Sequence, residues 1–159
     1  MAKKLKFLVI HCTASRAGVN LTADDIRRMH LSPKPGGRGW RQVGYTDMIM
    51  LDGTIVNLVE NNDDDKVDPG EITNGVGGMN SICRHIVYIG GLDHTGKPAD
   101  TRTPEQHKAL TAFVKKIVSK TPSTLVAGHN HFAAKACPSF NVEKWCRQIG
   151  IPEKNIHRK

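Results

Sequence analysis

The feature that most constrains the fold is a short apolar run near the start of the chain that ends in a histidine. Phe7-Leu8-Val9-Ile10 follows a lysine-rich segment and leads into His11-Cys12-Thr13. The run is too short for the apolar core of a signal peptide, and no small-residue cleavage site follows it. We therefore predict that Leu5–Cys12 is a buried β-strand, and that the protein is made in the cytoplasm without an export signal.

Helix signals recur at three later places. Thr22 is a suitable N-cap for a helix whose first turn is acidic and which must end before Pro33. Thr103-Pro104-Glu105-Gln106 combines an N-cap, a proline at the first helical position and a reciprocal capping residue, so a helix is predicted to about Lys120. A last short helix is expected over Asn141–Gln148.

Strand signals alternate with these helices. Gly44–Leu51 and Thr54–Val59 are joined by Asp52-Gly53, a typical hairpin turn, and His85–Gly91 and Thr124–Gly128 are further strand-like runs. Residues 61–79 indicate one long loop, in which the three aspartates at 63–65 are interpreted as a solvated turn. Strands interleaved with helices predict an α/β fold with a mixed central β-sheet flanked by helices, formed by one domain over residues 1–159.

Composition narrows the function without naming it. The chain of 159 residues has a formal net charge of +8 and a pI of about 9.5, which favours polyanionic partners such as nucleic acid or an anionic cell wall. Nucleic-acid binding is disfavoured because there is no helix-turn-helix, zinc-finger spacing or aromatic-rich strand surface. No stretch is long and apolar enough to span a membrane.

Two segments carry metal-binding chemistry. His11 ends the first strand, and the segment from Gly128 to Phe140 holds His129, His131 and Cys137. Two imidazoles and a thiolate are donors that zinc accepts, and a catalytic zinc site keeps a fourth position open for water. From the residues alone, His129 and His131 are equally good second ligands.

The remaining histidines and cysteines have simpler interpretations. The four cysteines include no CxxC pair, so Cys137 is interpreted as a ligand and the others as small buried side chains. Most other histidines lie in polar surroundings where exposure is expected; these are His30, His94, His107 and His157. Trp40 follows a glycine-rich loop and is predicted to pack against the protein.

Taken in order, several motifs resemble the type-two N-acetylmuramoyl-L-alanine amidases, a family that includes short phage lysozyme-like amidases and peptidoglycan recognition proteins. The most specific segments are IHCTA at the first strand and KACPSF at residues 135–140. Weaker ones are VGYTDMIMLDGTI, YIGGLD followed by GKP, TPEQ and GHNHF. The resemblance extends from about Phe7 to Cys146.

The resemblance implies a function and a set of site residues. It implies one zinc ion held by His11, His129 and Cys137 in a surface groove, with a water as the fourth ligand, and Tyr45 and Lys135 as active-site residues. The implied reaction is hydrolysis of the amide between N-acetylmuramic acid and L-alanine in bacterial peptidoglycan. No substrate-binding residue is assigned.

Alternatives concern activity and setting. Family members without the zinc cysteine bind peptidoglycan without cutting it, and the presence of Cys137, Tyr45 and Lys135 favours an intact enzyme. We expect a monomeric phage or prophage endolysin that reaches the wall once the membrane is breached. The alternative is an enzyme that recycles wall fragments in the cytoplasm.

Overall fold

The fold is organised around a five-stranded mixed sheet. The computed structural model describes all 159 residues. The helices and strands are β1 (Lys3–Lys4), β2 (Phe7–Cys12), β3 (Ser15–Arg16), α1 (Ala23–Leu31), β4 (Asp47–Ile49), β5 (Ile55–Asn57), β6 (Lys66–Val67), β7 (Cys83–Tyr88), β8 (Gly91–Leu92), α2 (Pro104–Lys120), β9 (Leu125–Gly128) and α3 (Val142–Gln148). The sheet order is β5-β4-β7-β2-β9, with β4 and β5 antiparallel and the other neighbours parallel.

The central strands are buried because helices or loops cover both faces of the sheet. Every residue of β2 and β7 is buried. Alternate β2 side chains such as Leu8 and Ile10 pack against α2 and α3 on one face. Phe7 and Val9 face the opposite side, where α1 contributes Ile26 to the part of the core near β4 and β7.

Helix α2 begins as its sequence predicts, and its cap also ties the helix to the sheet. The Thr103 hydroxyl accepts from the Gln106 amide at 3.0 Å, and the Gln106 side chain accepts from the Thr103 amide at 3.0 Å. Gln106 is fully buried, and its Nε2 donates to the carbonyls of Ile49 at 3.3 Å and Ile89 at 3.0 Å. The cap therefore fixes the start of α2 against the ends of two strands.

The segment over residues 61–79 contains more order than a plain loop. Its β6 pairs with β1, and Pro69–Glu71 forms a 3-10 turn. Asp64 and Asp65 are exposed, as the interpretation of residues 63–65 as a solvated turn predicts, whereas Asp63 is half-buried. Arg84 is buried in β7, and its guanidinium lies 3.8 Å from the Asp63 carboxylate and 3.9 Å from the Asp64 carboxylate. These carboxylates offset the cost of burying the positive charge.

The α/β class with a mixed central sheet flanked by helices is confirmed. Individual strands are shorter than predicted, since the hairpin strands extend only over Asp47–Ile49 and Ile55–Asn57. No helix combines the length and apolar character that crossing a membrane requires. The parallel strands bring their carboxyl ends to one edge of the sheet, and the candidate site lies at that edge.

Candidate metal centre

Parallel strand pairing places His11 and His129 side by side. His11 lies near the end of β2, and His129 directly follows β9. The register pairs Ile10 with Gly128, so the next residue on each strand is a histidine. The two ring centroids are 4.7 Å apart. Two residues that are far apart in sequence are therefore neighbours because of the sheet register.

Cys137 reaches the same edge through the loop that follows His129. The Asn130 amide donates to the Cys137 carbonyl at 2.8 Å, and the buried Tyr88 hydroxyl donates to the Pro138 carbonyl at 2.6 Å. The Cys12 amide donates to the Cys137 Sγ at 3.2 Å. The Cys137 Sγ is 3.8 Å from the His11 Nδ1. These bonds hold the thiol against the first histidine.

The three side chains suit a zinc ion by geometry and by donor chemistry. Their ligand atoms all lie within 4.8 Å of one another. Tetrahedral zinc with bonds of about 2.0 to 2.3 Å requires ligand atoms separated by roughly 3.5 Å, so small side-chain movements would complete the geometry. His11, His129 and Cys137 can therefore hold a metal ion.

Protonation states favour the same conclusion. Burial lowers the pKa of His11 well below its ordinary value, with further lowering by His85, His129 and Lys135. Burial, followed by Lys135, also lowers the pKa of His129. Both rings are then neutral, as metal ligands must be. The Cys12 thiol and burial raise the pKa of Cys137, so its thiolate form requires a cation beside it.

His131, the competing histidine, has other partners. Its Nδ1 accepts from the Gly128 amide at 2.9 Å, and its Nε2 lies 3.5 Å from the Glu143 carboxylate. Both ring nitrogens thereby have partners within the protein, and the cluster of possible metal ligands contains His129 and not His131. The geometry distinguishes the two histidines that the residues alone left equivalent.

Tyr45 and Lys135 line one groove together with the two histidines. This groove has a volume of about 320 Å³. The half-buried Tyr45 ring lies 5.2 Å from the His11 ring, and Lys135 is exposed at the rim. Burial raises the pKa of Tyr45, so its hydroxyl stays protonated at neutral pH and can donate a hydrogen bond. Lys135 also borders a second open cavity of about 520 Å³.

The groove wall includes residues whose placement the sequence did not predict. The expectation that His30 is exposed is wrong: it is 6% exposed, and its Nδ1 accepts from the Gly44 amide at 3.0 Å. Residues 33–40 fold back over the end of α1, where the Trp40 amide donates to the His30 carbonyl at 2.9 Å. Trp40 packs against His30 as predicted, with ring centroids 4.8 Å apart, and Arg38 lies over the Trp40 ring.

His85 is the second residue that sequence reasoning missed. It is fully buried in β7, and its Nδ1 lies 2.8 Å from the His11 Nε2. Burial, with His129 as a smaller cause, lowers the pKa of His85 to about 3. The available signal was a histidine directly before the apolar run Ile86-Val87-Tyr88, in the strand next to the one that carries His11.

Comparisons with known proteins agree on one family. A sequence model described as N-acetylmuramoyl-L-alanine amidase matches residues 1–140. The endolysin of Enterobacteria phage K11 is 31% identical over 138 residues, covering 87% of this chain and 83% of the phage protein. The endolysin of Klebsiella phage KP32 is 30% identical with the same coverage. The solved structure of the N-acetylmuramoyl-L-alanine amidase LysC from Clostridium intestinale shares the fold, with a TM-score of 0.71, 22% identity and coverage of 94% of this chain and 87% of that one.

Proposed function

The chain belongs to the N-acetylmuramoyl-L-alanine amidase family, and on that premise we propose that it is a zinc-dependent amidase that cuts peptidoglycan between N-acetylmuramic acid and L-alanine. The observation that carries the zinc dependence is the convergence of His11, His129 and Cys137 at one sheet edge, with ligand atoms within 4.8 Å of one another. Imidazole nitrogens and a thiolate are donors that zinc accepts, and three protein ligands leave a fourth position for water.

Lys135 and Tyr45, which line the groove, have the roles in catalysis that the metal does not supply. When bound, zinc supplies Lewis acidity and activates water for hydrolysis at neutral pH. Lys135 at the rim supplies positive charge to the oxyanion that develops when the amide carbonyl is attacked. The protonated Tyr45 hydroxyl donates a hydrogen bond to the same region, and either group can pass a proton to the leaving amine of L-alanine.

The groove is open enough for a chain-like substrate. Its volume of about 320 Å³ is that of a site for part of a larger ligand, and Lys135 connects it to the neighbouring 520 Å³ cavity. A glycan lying in one cavity and a peptide in the other would place the connecting amide near Lys135. The +8 net charge favours approach to an anionic wall.

Zinc analysis of matched variants tests the proposed ligand set. Cys137→Ser and His129→Ala are expected to abolish wall hydrolysis. They should lower zinc affinity by more than roughly 10- to 100-fold, which is the usual loss when a residue that only hydrogen-bonds to a metal ligand is removed. The controls are Cys83→Ala, a buried thiol remote from the site, and His131→Ala, the neighbouring histidine. Both controls should keep one zinc per chain. Full zinc content in Cys137→Ser would contradict the proposal.

We infer an endolysin role from four curated relatives, all of which are named as phage endolysins. Production inside a bacterium should leave cells intact until the inner membrane is permeabilised, and should then clear the culture. The Cys137→Ser variant should not clear it. Lysis without permeabilisation, or no lysis after it by an active enzyme, would contradict the endolysin role.

A further inference from the structure

A hydrogen-bonded chain behind the metal centre leads away from His11 into the protein. The His11 Nε2 is 2.8 Å from the His85 Nδ1, and the His85 Nε2 is 2.9 Å from the Asn80 Oδ1. His85 lies on β7 opposite Val9 of β2, so its side chain shares a sheet face with His11. His11 and His85 are each no more than 1% exposed, which shields this chain from water.

The donor and acceptor in each of these two hydrogen bonds can be assigned by starting from Asn80. The Asn80 Oδ1 accepts from the Val76 amide at 2.8 Å, which identifies it as the amide oxygen. The His85 Nε2 must therefore carry a proton and donate it to Asn80. In a neutral imidazole the other nitrogen is then an acceptor, so the His85 Nδ1 accepts from the Nε2–H of His11. This arrangement leaves the Nδ1 of His11 unprotonated.

The free nitrogen of His11 faces the other proposed ligands. Its Nδ1 is the ring atom that lies 3.8 Å from the Cys137 Sγ. A ring in the opposite tautomer would direct a proton at the metal position and could not bind it. A metal-binding histidine whose second nitrogen donates to a fixed acceptor is held in both tautomer and orientation.

We propose that His85 is a positioning residue that, held by Asn80, fixes the tautomer and ring orientation of His11 for metal binding. This inference rests on the proposed zinc function. It adds a residue outside the set of three ligands and outside the groove residues Tyr45 and Lys135.

Gly75 provides a second, steric observation. A Cβ built on Gly75 would overlap the His85 ring, and the nearest atom would be the same Nδ1 that accepts from His11. The ring therefore packs directly on the backbone of the segment that supplies the Val76 amide and also forms one wall of the groove. Position 75 must lack a side chain for His85 to stand where it does.

Three variants separate positioning from packing. His85→Phe fills the space but lacks an acceptor, and it should weaken zinc binding about 10- to 100-fold. His85→Gln retains an acceptor and should stay within a few-fold of the wild type. Gly75→Ala leaves every hydrogen-bonding group in place but displaces the ring, so it should also weaken zinc binding. Val114→Ala, in the core on the other sheet face, is the stability control and should bind zinc normally.

Two measurements provide readouts independent of hydrolysis. Competition with a chelator at fixed pH gives the zinc dissociation constant of each variant. Long-range ¹H–¹⁵N spectra of the metal-free wild type report the histidine tautomers, and His11 and His85 should both be protonated at Nε2. The tautomer of His11 depends on its hydrogen bond to His85, so this measurement tests the positioning role separately from any effect of His85 on packing.

The outcomes are distinguishable from failure of the zinc proposal itself. If Cys137→Ser loses zinc while a folded His85→Phe binds it within about twofold of the wild type, the positioning role is wrong and the ligand set stands. If His11 is protonated at Nδ1 in the metal-free protein, the positioning role is also wrong, even where His85→Phe fails to fold. If neither Cys137→Ser nor His85→Phe affects zinc binding, both proposals are wrong.

Discussion

The hydrogen bond from Tyr88 to Pro138, the residue after Cys137, allows a prediction of how much stability and zinc affinity depend on it. Tyr88 is 1% exposed, and its hydroxyl donates to the buried Pro138 carbonyl at 2.6 Å. Tyr88→Phe keeps the ring but leaves that carbonyl without its donor, which costs about 2 kcal/mol within a range of about 1–3. In a protein of this size each kcal/mol lowers Tm by about 2–4 °C, so the metal-free variant should melt about 4–8 °C lower.

The same change should weaken zinc binding, because Pro138 follows the ligand Cys137. If about half of the lost energy, roughly 1 kcal/mol, is needed to order the loop on binding, the zinc dissociation constant rises about fivefold. Calorimetry with a chelator present gives Tm, and competition titration gives the zinc affinity. Tyr45→Phe is the matched control, since the Tyr45 hydroxyl has no hydrogen-bond partner in the protein. It should keep the wild-type Tm but lose about a hundredfold in hydrolysis. Wild-type melting of Tyr88→Phe would refute the reasoning.

Three further predictions concern charge, pH and the sheet. Lys135→Gln should lower kcat about a hundredfold while zinc content is unchanged, as measured by product release and metal analysis; zinc loss would contradict its oxyanion role. Burial is the main cause and Arg38 the second cause that lower the pKa of His30 to about 4, whereas the ring in the unfolded chain titrates near its ordinary value of 6.5. His30 therefore contributes stability above pH 6.5 that is lost as the pH falls toward 4, and metal-free His30→Gln should lose about 2 kcal/mol less between pH 7 and 4.5 in urea titrations. Gln106→Leu leaves the Ile89 carbonyl without its side-chain donor and removes one of the two donors to the Ile49 carbonyl, which also accepts from the Ile89 amide at 3.2 Å. The change should lower the free energy of unfolding by about 1–3 kcal/mol, with unchanged activity per folded molecule; unchanged stability would contradict the bridging role of its amide.

Much of the fold could be predicted because its signals are local. The cap at Thr103 and the apolar run before His11 each depend on a few adjacent residues, and both elements form where expected. The two hairpin strands are shorter than predicted. Apolar residues continue on both sides of Asp47–Ile49, but only these three residues pair with β5 in the antiparallel ladder.

The candidate site could be predicted only in part, because the residues that contact the proposed ligands from behind, such as His85, are brought there by the strand register. His11 and Cys137 stand in recognisable motifs, whereas the resemblance was needed to favour His129 over His131. The bond from His11 to His85 exists because β7 lies beside β2 with Val9 opposite His85, and no local pattern encodes that pairing. Similarly, His30 is buried by residues 33–40 folding back over the helix end.

Identification of the bond that is cut tests the central claim most directly. Purified peptidoglycan digested in H₂¹⁸O should release stem peptides that begin with a free L-alanine amine, while the label enters the lactyl carboxylate of muramic acid and the glycan strands stay intact. Mass spectrometry resolves both products. New reducing sugar ends, or label within the peptide and none on muramic acid, would contradict the assignment of this chain as a muramoyl-alanine amidase.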